Sequence, residues 1–180
     1  YRFMWGQYDD PGYMRLSPAI DGDGPALVQV GLNGMVSDQS QRVFMPSGLP
    51  MTLLAGNLWD AELDYDAATG DYFNAAFGPD GSRCRTYLEA LSDAFNPEWL
   101  SRYQVADPPP VPDEVLSGLR GVPGLIDEFE PVIQSNLDLP DPAQARSWEY
   151  LAEHAEICRL LSTAIEAELT GDTDTAESHW

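Results

Sequence analysis

Apolar residues recur at three- and four-residue steps along most of the chain, the mark of helices with one buried face. Cys84, Tyr87, Leu88, Leu91, Ala94 and Phe95 set out one such face, which Asn96-Pro97 stops. Trp148, Leu151, Ala155, Cys158, Leu161, Ile165 and Leu169 set out a longer one, predicting a bundle helix from about Ala143 to Leu169. Tyr65, Ala68, Tyr72, Phe73, Ala76 and Phe77 predict a helix with Asp64 at its N-cap and Gly78-Pro79 at its close. Asp80 stands where it can cap the next helix. Leu49, Met51, Leu53, Leu54, Leu58 and Trp59 cover most of the circumference of an eleven-residue segment, so that helix is expected to be buried all round, Trp59 included. Val115, Leu116 and Leu119 begin a further helix that Gly121, Pro123 and Gly124 are expected to break. Leu125, Ile126, Phe129, Val132, Ile133 and Leu137 then carry it on, with a kink expected at Pro131. Tyr13 to Val30 reads as a broken helix, interrupted by Pro18 and by Gly22–Pro25.

One stretch departs from the helical period. Gly31-Leu32-Asn33-Gly34-Met35-Val36-Ser37 is a short apolar run between glycines, lying after one helix and before another. That order suits a strand of a parallel sheet buried on both faces. Arg2 to Trp5 can hold the end of a second strand. In parallel α/β folds, ligands meet the loops at the C-terminal ends of strands. The residues so placed are Ser37, Asp38, Gln39, Ser40, Gln41 and Arg42. They offer hydroxyl, carboxylate, amide and guanidinium groups, a mixture suited to sugar hydroxyls. Ser37, Asp38, Gln39, Gln41 and Arg42 are the candidate substrate-binding residues, with Trp5 beside them as a stacking surface. Asp38 is the one acid that this reading puts at a strand end. The plainer alternative is a loop that only closes the fold, with Arg42 paired to a neighbouring acid.

These elements predict a chain that is mainly α: the C-terminal end of a (β/α)8 barrel, about its last two strands, followed by a helical bundle. Asp107-Pro108-Pro109-Pro110-Val111-Pro112 is a stiff, extended linker. The expected division is 1–106 for the barrel end, 107–112 for the linker and 113–180 for a helical C-terminal domain. On this reading the chain is the last part of something longer, and upstream barrel residues complete it.

Charge narrows the partners. The 180 residues carry 30 acids against nine basic residues, all arginine, for a net charge of −21. Nucleic acid and anionic membranes are disfavoured by such a field. Residues 1–60 hold six acids and three arginines, whereas residues 61–180 hold 24 and six. The second part therefore presents a solvated acidic surface, which serves solubility; adaptation to high salt is the sharper hypothesis. No run of 18 apolar residues occurs, and no basic stretch precedes an apolar one as in a signal peptide.

The remaining chemistry is sparse. Cys84 and Cys158 fall at apolar positions of two helices and read as buried thiols, with a disulfide between them left open. No CxxC, Cys/His cluster, P-loop or dinucleotide fingerprint is present, so neither a metal nor a cofactor is expected. His154 lies beside the stripe of the last long helix, flanked by Glu153 and Glu156, and reads as structural or solvated.

The string Gly31–Gly78 resembles the end of the catalytic barrel in alpha-glucuronidase-like and hexosaminidase-like glycoside hydrolases. It is more similar still to a related family known only as a domain of unknown function. The resemblance rests on Gly31 and Gly34, on Leu58-Trp59-Asp60, and on Asp64 through Tyr72, Phe73, Phe77 and Gly78. Trp148-x-Tyr150-Leu151-x-x-His154 and Thr170-Gly171-Asp172 are similar to that family's helical tail. It implies a glycoside-hydrolase-like, carbohydrate-active parent, to whose sugar site this chain adds one rim loop. The catalytic carboxylates of alpha-glucuronidases lie on earlier strands, so the isolated chain is expected to be inactive. The alternative, from a different class, is a non-catalytic acidic helical module that binds a protein partner.

Overall fold

A computed structural model describes residues 10–34, 45–103 and 110–179. Among these residues the fold is wholly helical. The helices are α1 (Leu16–Gln29), α2 (Leu49–Trp59), α3 (Tyr65–Phe77), α4 (Gly81–Phe95), α5 (Pro97–Tyr103), α6 (Asp113–Asn136), α7 (Pro142–Thr170) and α8 (Thr173–His179). A 3-10 turn, Gly78–Asp80, joins α3 to α4. One apolar core draws on every helix from α1 to α7, with Leu53, Phe73, Leu88, Ile126 and Trp148 among its fully buried members.

The expected barrel end is corrected: no described residue lies in a strand. The start of the supposed strand is a helix stop instead. Gly31 takes φ +84°, its N–H bonds to the Val28 carbonyl at 3.0 Å, and the Leu32 N–H bonds to that of Leu27 at 3.0 Å. This pair of bonds is a Schellman closure, which a glycine in the left-handed region permits. Gly171 ends α7 in the same way, with Gly171 N–H on Glu168 and Asp172 N–H on Ala167. A short apolar run behind a glycine has no period of its own, so strand and helix cap look alike in sequence. The other proposed strand, Arg2 to Trp5, and residues 35–44 lie outside the described residues. The helical-bundle part of the expectation stands.

Two expected breaks are absent. α1 runs through Gly22, Gly24 and Pro25, and α6 runs through Gly121, Pro123 and Gly124. Proline in a helix costs a hydrogen bond and about 3 kcal/mol, so tertiary packing must outweigh it. In α6 the buried series Leu119, Val122, Ile126 keeps its helical step straight through the Pro/Gly cluster. In α1, Gly24 lies against α2: a Cβ there would come within 2.9 Å of the Asn57 Cβ.

The core is threaded by a chain of aromatic rings. Phe73 stacks on Phe77 (5.7 Å between centroids), and Phe77 meets Trp148 edge to face (5.3 Å). Trp148 contacts Phe129 (6.3 Å), which stacks nearly parallel on Tyr87 (4.2 Å). The chain thus joins α3, α7, α6 and α4, on both sides of residues 107–112. Trp148 also donates its indole N–H to the Phe77 carbonyl at 3.0 Å, which satisfies the one polar atom of a fully buried ring.

Local signals behaved unevenly. Asp64 caps α3 as expected, accepting from the Ala67 N–H at 3.0 Å, and Asp141 caps α7 through Ala143 at 2.8 Å. Asp80 does not cap α4; its carboxylate instead holds Arg83 (3.1 Å) and Asn136 of α6 (2.9 Å). The start of α1 is capped from further upstream, since Asp10 accepts from the Arg15 and Leu16 N–H groups at 2.8 and 2.7 Å.

Candidate functional site

The residues singled out for sugar binding, Ser37, Asp38, Gln39, Gln41, Arg42 and Trp5, all lie outside the described residues. What the structure does place is the ground on either side of that segment, at the C-terminal halves of α1 and α2. The two helices meet where Gly24 backs onto Asn57, and Asn57 donates its amide to the Asp21 carboxylate at 3.2 Å. Beside this contact a groove of about 230 Å3 opens between Leu27, Val28 and Leu32 on one side and Leu54 and Leu58 on the other.

Large apolar side chains are exposed in and beside the groove. Val28 is 58% exposed, Leu32 52%, Leu58 59%, and Trp59, next to Leu58, 94%. The expectation that α2 is buried all round is therefore corrected. Only Leu49, Pro50, Leu53, Leu54 and Asn57 are buried. The helix lies against α1 and α3, and two neighbours cannot cover the full circumference of a helix. Apolar content alone gave Leu58 and Trp59 to the core. The signal that could have separated them is their place in the last turn, directly before the Asp60 stop.

The surround of the groove is acidic. Asp21 and Asp23 belong to α1, Asp60 and Glu62 to the turn after α2, and neither helix nor that turn holds a basic residue. Elsewhere each arginine whose side chain is described is paired with a carboxylate: Arg15 with Asp93, Arg83 with Asp80, Arg85 with Asp66 and Glu89, Arg120 with Glu166, Arg146 with Glu149, Arg159 with Asp127 and Glu156. The described cations are thus matched where they stand, and the described helices and turn around the groove contribute only negative charge.

A second cluster has the residue types of a catalytic pair without their electrostatics. His154, read from the sequence as structural or solvated, is buried, and its Nε2 lies 3.4 Å from the Cys158 Sγ one turn along α7. Burial pushes the imidazole down to about 4, against a smaller upward pull from the Pro11 carbonyl. Burial pushes the Cys158 thiol up. A nucleophilic pair needs thiolate and imidazolium, and burial disfavours both charges here. Cys84 and Cys158 are both buried and free, which settles the disulfide left open by the sequence. Tyr87, whose buried hydroxyl makes no hydrogen bond, feels both thiols. This cluster is core.

Among the described residues no group of three or more His, Cys, Asp or Glu is placed to hold a metal ion, and no helix is long and apolar enough to cross a membrane. Comparison with protein-family models, with curated proteins and with solved structures finds no match to this chain.

Proposed function

We propose that this chain is an acidic helical binding module that captures a basic, apolar-faced segment of another protein at the α1/α2 groove. The observation that carries the reading is the exposure of Trp59, 94%, beside the apolar walls of a groove rimmed by acids. Exposed apolar surface next to a groove is costly in water unless a partner covers it, and a surround rich in acids favours a basic one. Tryptophan is the side chain most often found at the energetic centre of such contacts. The carbohydrate reading loses the barrel that supported it, and its residues lie outside the described chain.

The test is titration of the chain with a short synthetic amphipathic helix bearing leucine on one face and lysine on the other, alongside its glutamate counterpart. The lysine peptide should bind saturably and the glutamate peptide should not. Trp59→Ser and Leu58→Ser should each weaken binding at least about tenfold, as for a contact centred on an aromatic anchor. Trp59→Ser should leave stability within about 0.5 kcal/mol, as at an exposed position. Equal binding of both peptides, or binding indifferent to both substitutions, overturns the reading. So does concentration-dependent dimerisation that Trp59→Ser abolishes, because a second copy would then be the occupant.

A further inference from the structure

A second opening lies between α4 and α6. These helices run antiparallel and are tied at two points. At one, Gly118 meets α4 so closely that a Cβ would lie 2.3 Å from the Ala94 carbonyl oxygen. At the other, the Asn136 amide reaches the Asp80 carboxylate at 2.9 Å. Between the ties a cleft of about 410 Å3 opens, in the size range of small-molecule sites. Its apolar lining is Tyr87, Ala90, Leu125 and Phe129. Tyr87 and Phe129 are parallel within 6°, so their packing gives this wall a fixed shape.

The charged groups at the cleft are Arg83 and Glu128. Arg83 is already paired with Asp80 at 3.1 Å. Glu128 is exposed and has no ion pair among the described residues. The Thr86 hydroxyl donates to the Ser82 carbonyl at 3.2 Å and keeps its lone pairs free to accept. The rim therefore offers one open carboxylate and one acceptor hydroxyl over an aromatic wall, within a chain of net charge −21.

We infer that this cleft binds a small organic cation: a flat aromatic body against Leu125 and Phe129, with an ammonium group on the Glu128 carboxylate. The aromatic body replaces water over apolar wall, and the ammonium donates to Glu128 and to the Thr86 hydroxyl. Anionic aromatics meet an open carboxylate and are rejected. The site is separate from the α1/α2 groove and does not depend on the function proposed for it.

The probe is phenethylammonium, titrated into the full chain and followed by amide resonances and calorimetry, with phenethyl alcohol and phenylacetate as neutral and anionic analogues. Amides of Thr86, Ala90, Leu125 and Phe129 should move saturably with the cation. The alcohol should bind about threefold or more weakly, in keeping with one exposed ion pair, and phenylacetate more weakly still. Glu128→Gln, at an exposed position, should bring the cation down to the level of the alcohol. Thr86→Arg, also exposed, should close the cleft and abolish binding with the circular dichroism spectrum retained. Glu153→Gln on α7 should change nothing. The inference is overturned if those amides stay still, if the alcohol or phenylacetate binds as tightly as the cation, or if Glu128→Gln has no effect. It is equally overturned if Glu153→Gln weakens binding as much as Glu128→Gln, which would mark diffuse attraction to an acidic surface.

Discussion

Gly118 packs its bare Cα against the backbone carbonyl of Ala94, leaving 2.3 Å where a Cβ would have to fit. α6 thus carries a glycine that packing requires. The same helix carries two that nothing crowds, Gly121 and Gly124, with open space where a Cβ would stand. Gly118→Ala should therefore destabilise by about 1–3 kcal/mol, the cost of forcing helices apart, despite the better helix propensity of alanine. Gly121→Ala and Gly124→Ala should stabilise by about 0.5–1 kcal/mol. Urea denaturation of the three variants checks the sign change within one helix.

Trp148 stands at the crossing of α3, α6 and α7, fully buried, with its N–H on the Phe77 carbonyl at 3.0 Å. Trp148→Phe keeps an aromatic ring but loses that hydrogen bond and removes volume. A loss of about 2–3 kcal/mol is expected from the two effects together. An unchanged denaturation midpoint would show that the hydrogen bond and the fit of the ring contribute little.

His154 sets a pH dependence. Its folded pKa, about 4, lies below the ordinary value of 6.5, so between these values the unfolded chain binds the proton and the folded chain does not. Its contribution is present above about pH 6.5, is lost as pH falls toward 4, and is worth about 3 kcal/mol over that window. Asp10 works in the opposite sense: burial raises its carboxyl, so stability from that group is present at low pH and fades as pH rises through the folded value. Comparing wild type with His154→Gln at pH 7 and pH 4.5 isolates the histidine. The variant should lose less stability on acidification than the wild type does.

Salt should stabilise the fold. The net charge of −21 repels itself, and the described arginines already sit in ion pairs that are mostly exposed and individually worth little. Screening removes more repulsion than attraction in that balance. The thermal midpoint should climb between dilute buffer and about molar sodium chloride, a range that takes the Debye length from about 30 Å to 3 Å. A flat response would end the salt-adaptation hypothesis.

Asp10 and Ser92 join the start of the described chain to α4. The Ser92 hydroxyl donates to the buried Asp10 carboxylate and accepts from the Met14 N–H at 3.1 Å. Ser92→Ala should cost about 1–3 kcal/mol, since the buried Met14 N–H loses its acceptor and the Asp10 carboxylate loses one donor while keeping those of Arg15 and Leu16. Asp10→Asn should recover part of that loss in the double variant, because a neutral amide tolerates the vacated partner better than a charge does. Both are read from denaturation midpoints.

The sequence by itself determined the helices that bury one clear face. The steps from Cys84 to Phe95 and from Trp148 to Ile165 name residues that are buried in the fold, Ala94 only partly, because a repeating apolar stripe has one physical solution in water. It also determined caps that act locally, Asp64 among them, since cap and N–H groups are three residues apart. The tertiary structure decided what depends on neighbours. Pro25 and Pro123 stay inside continuous helices because packing elsewhere along α1 and α6 outweighs a missing hydrogen bond. Leu32 closes a helix, where its apolar neighbours had suggested a strand, because the geometry at Gly31 is not written in hydrophobicity. Trp59 and Leu58 face solvent because, among the described residues, no helix covers the last turn of α2. Both candidate sites are therefore legible only in three dimensions: each is the space between two helices, and a sequence records the faces of helices but not the gaps between them.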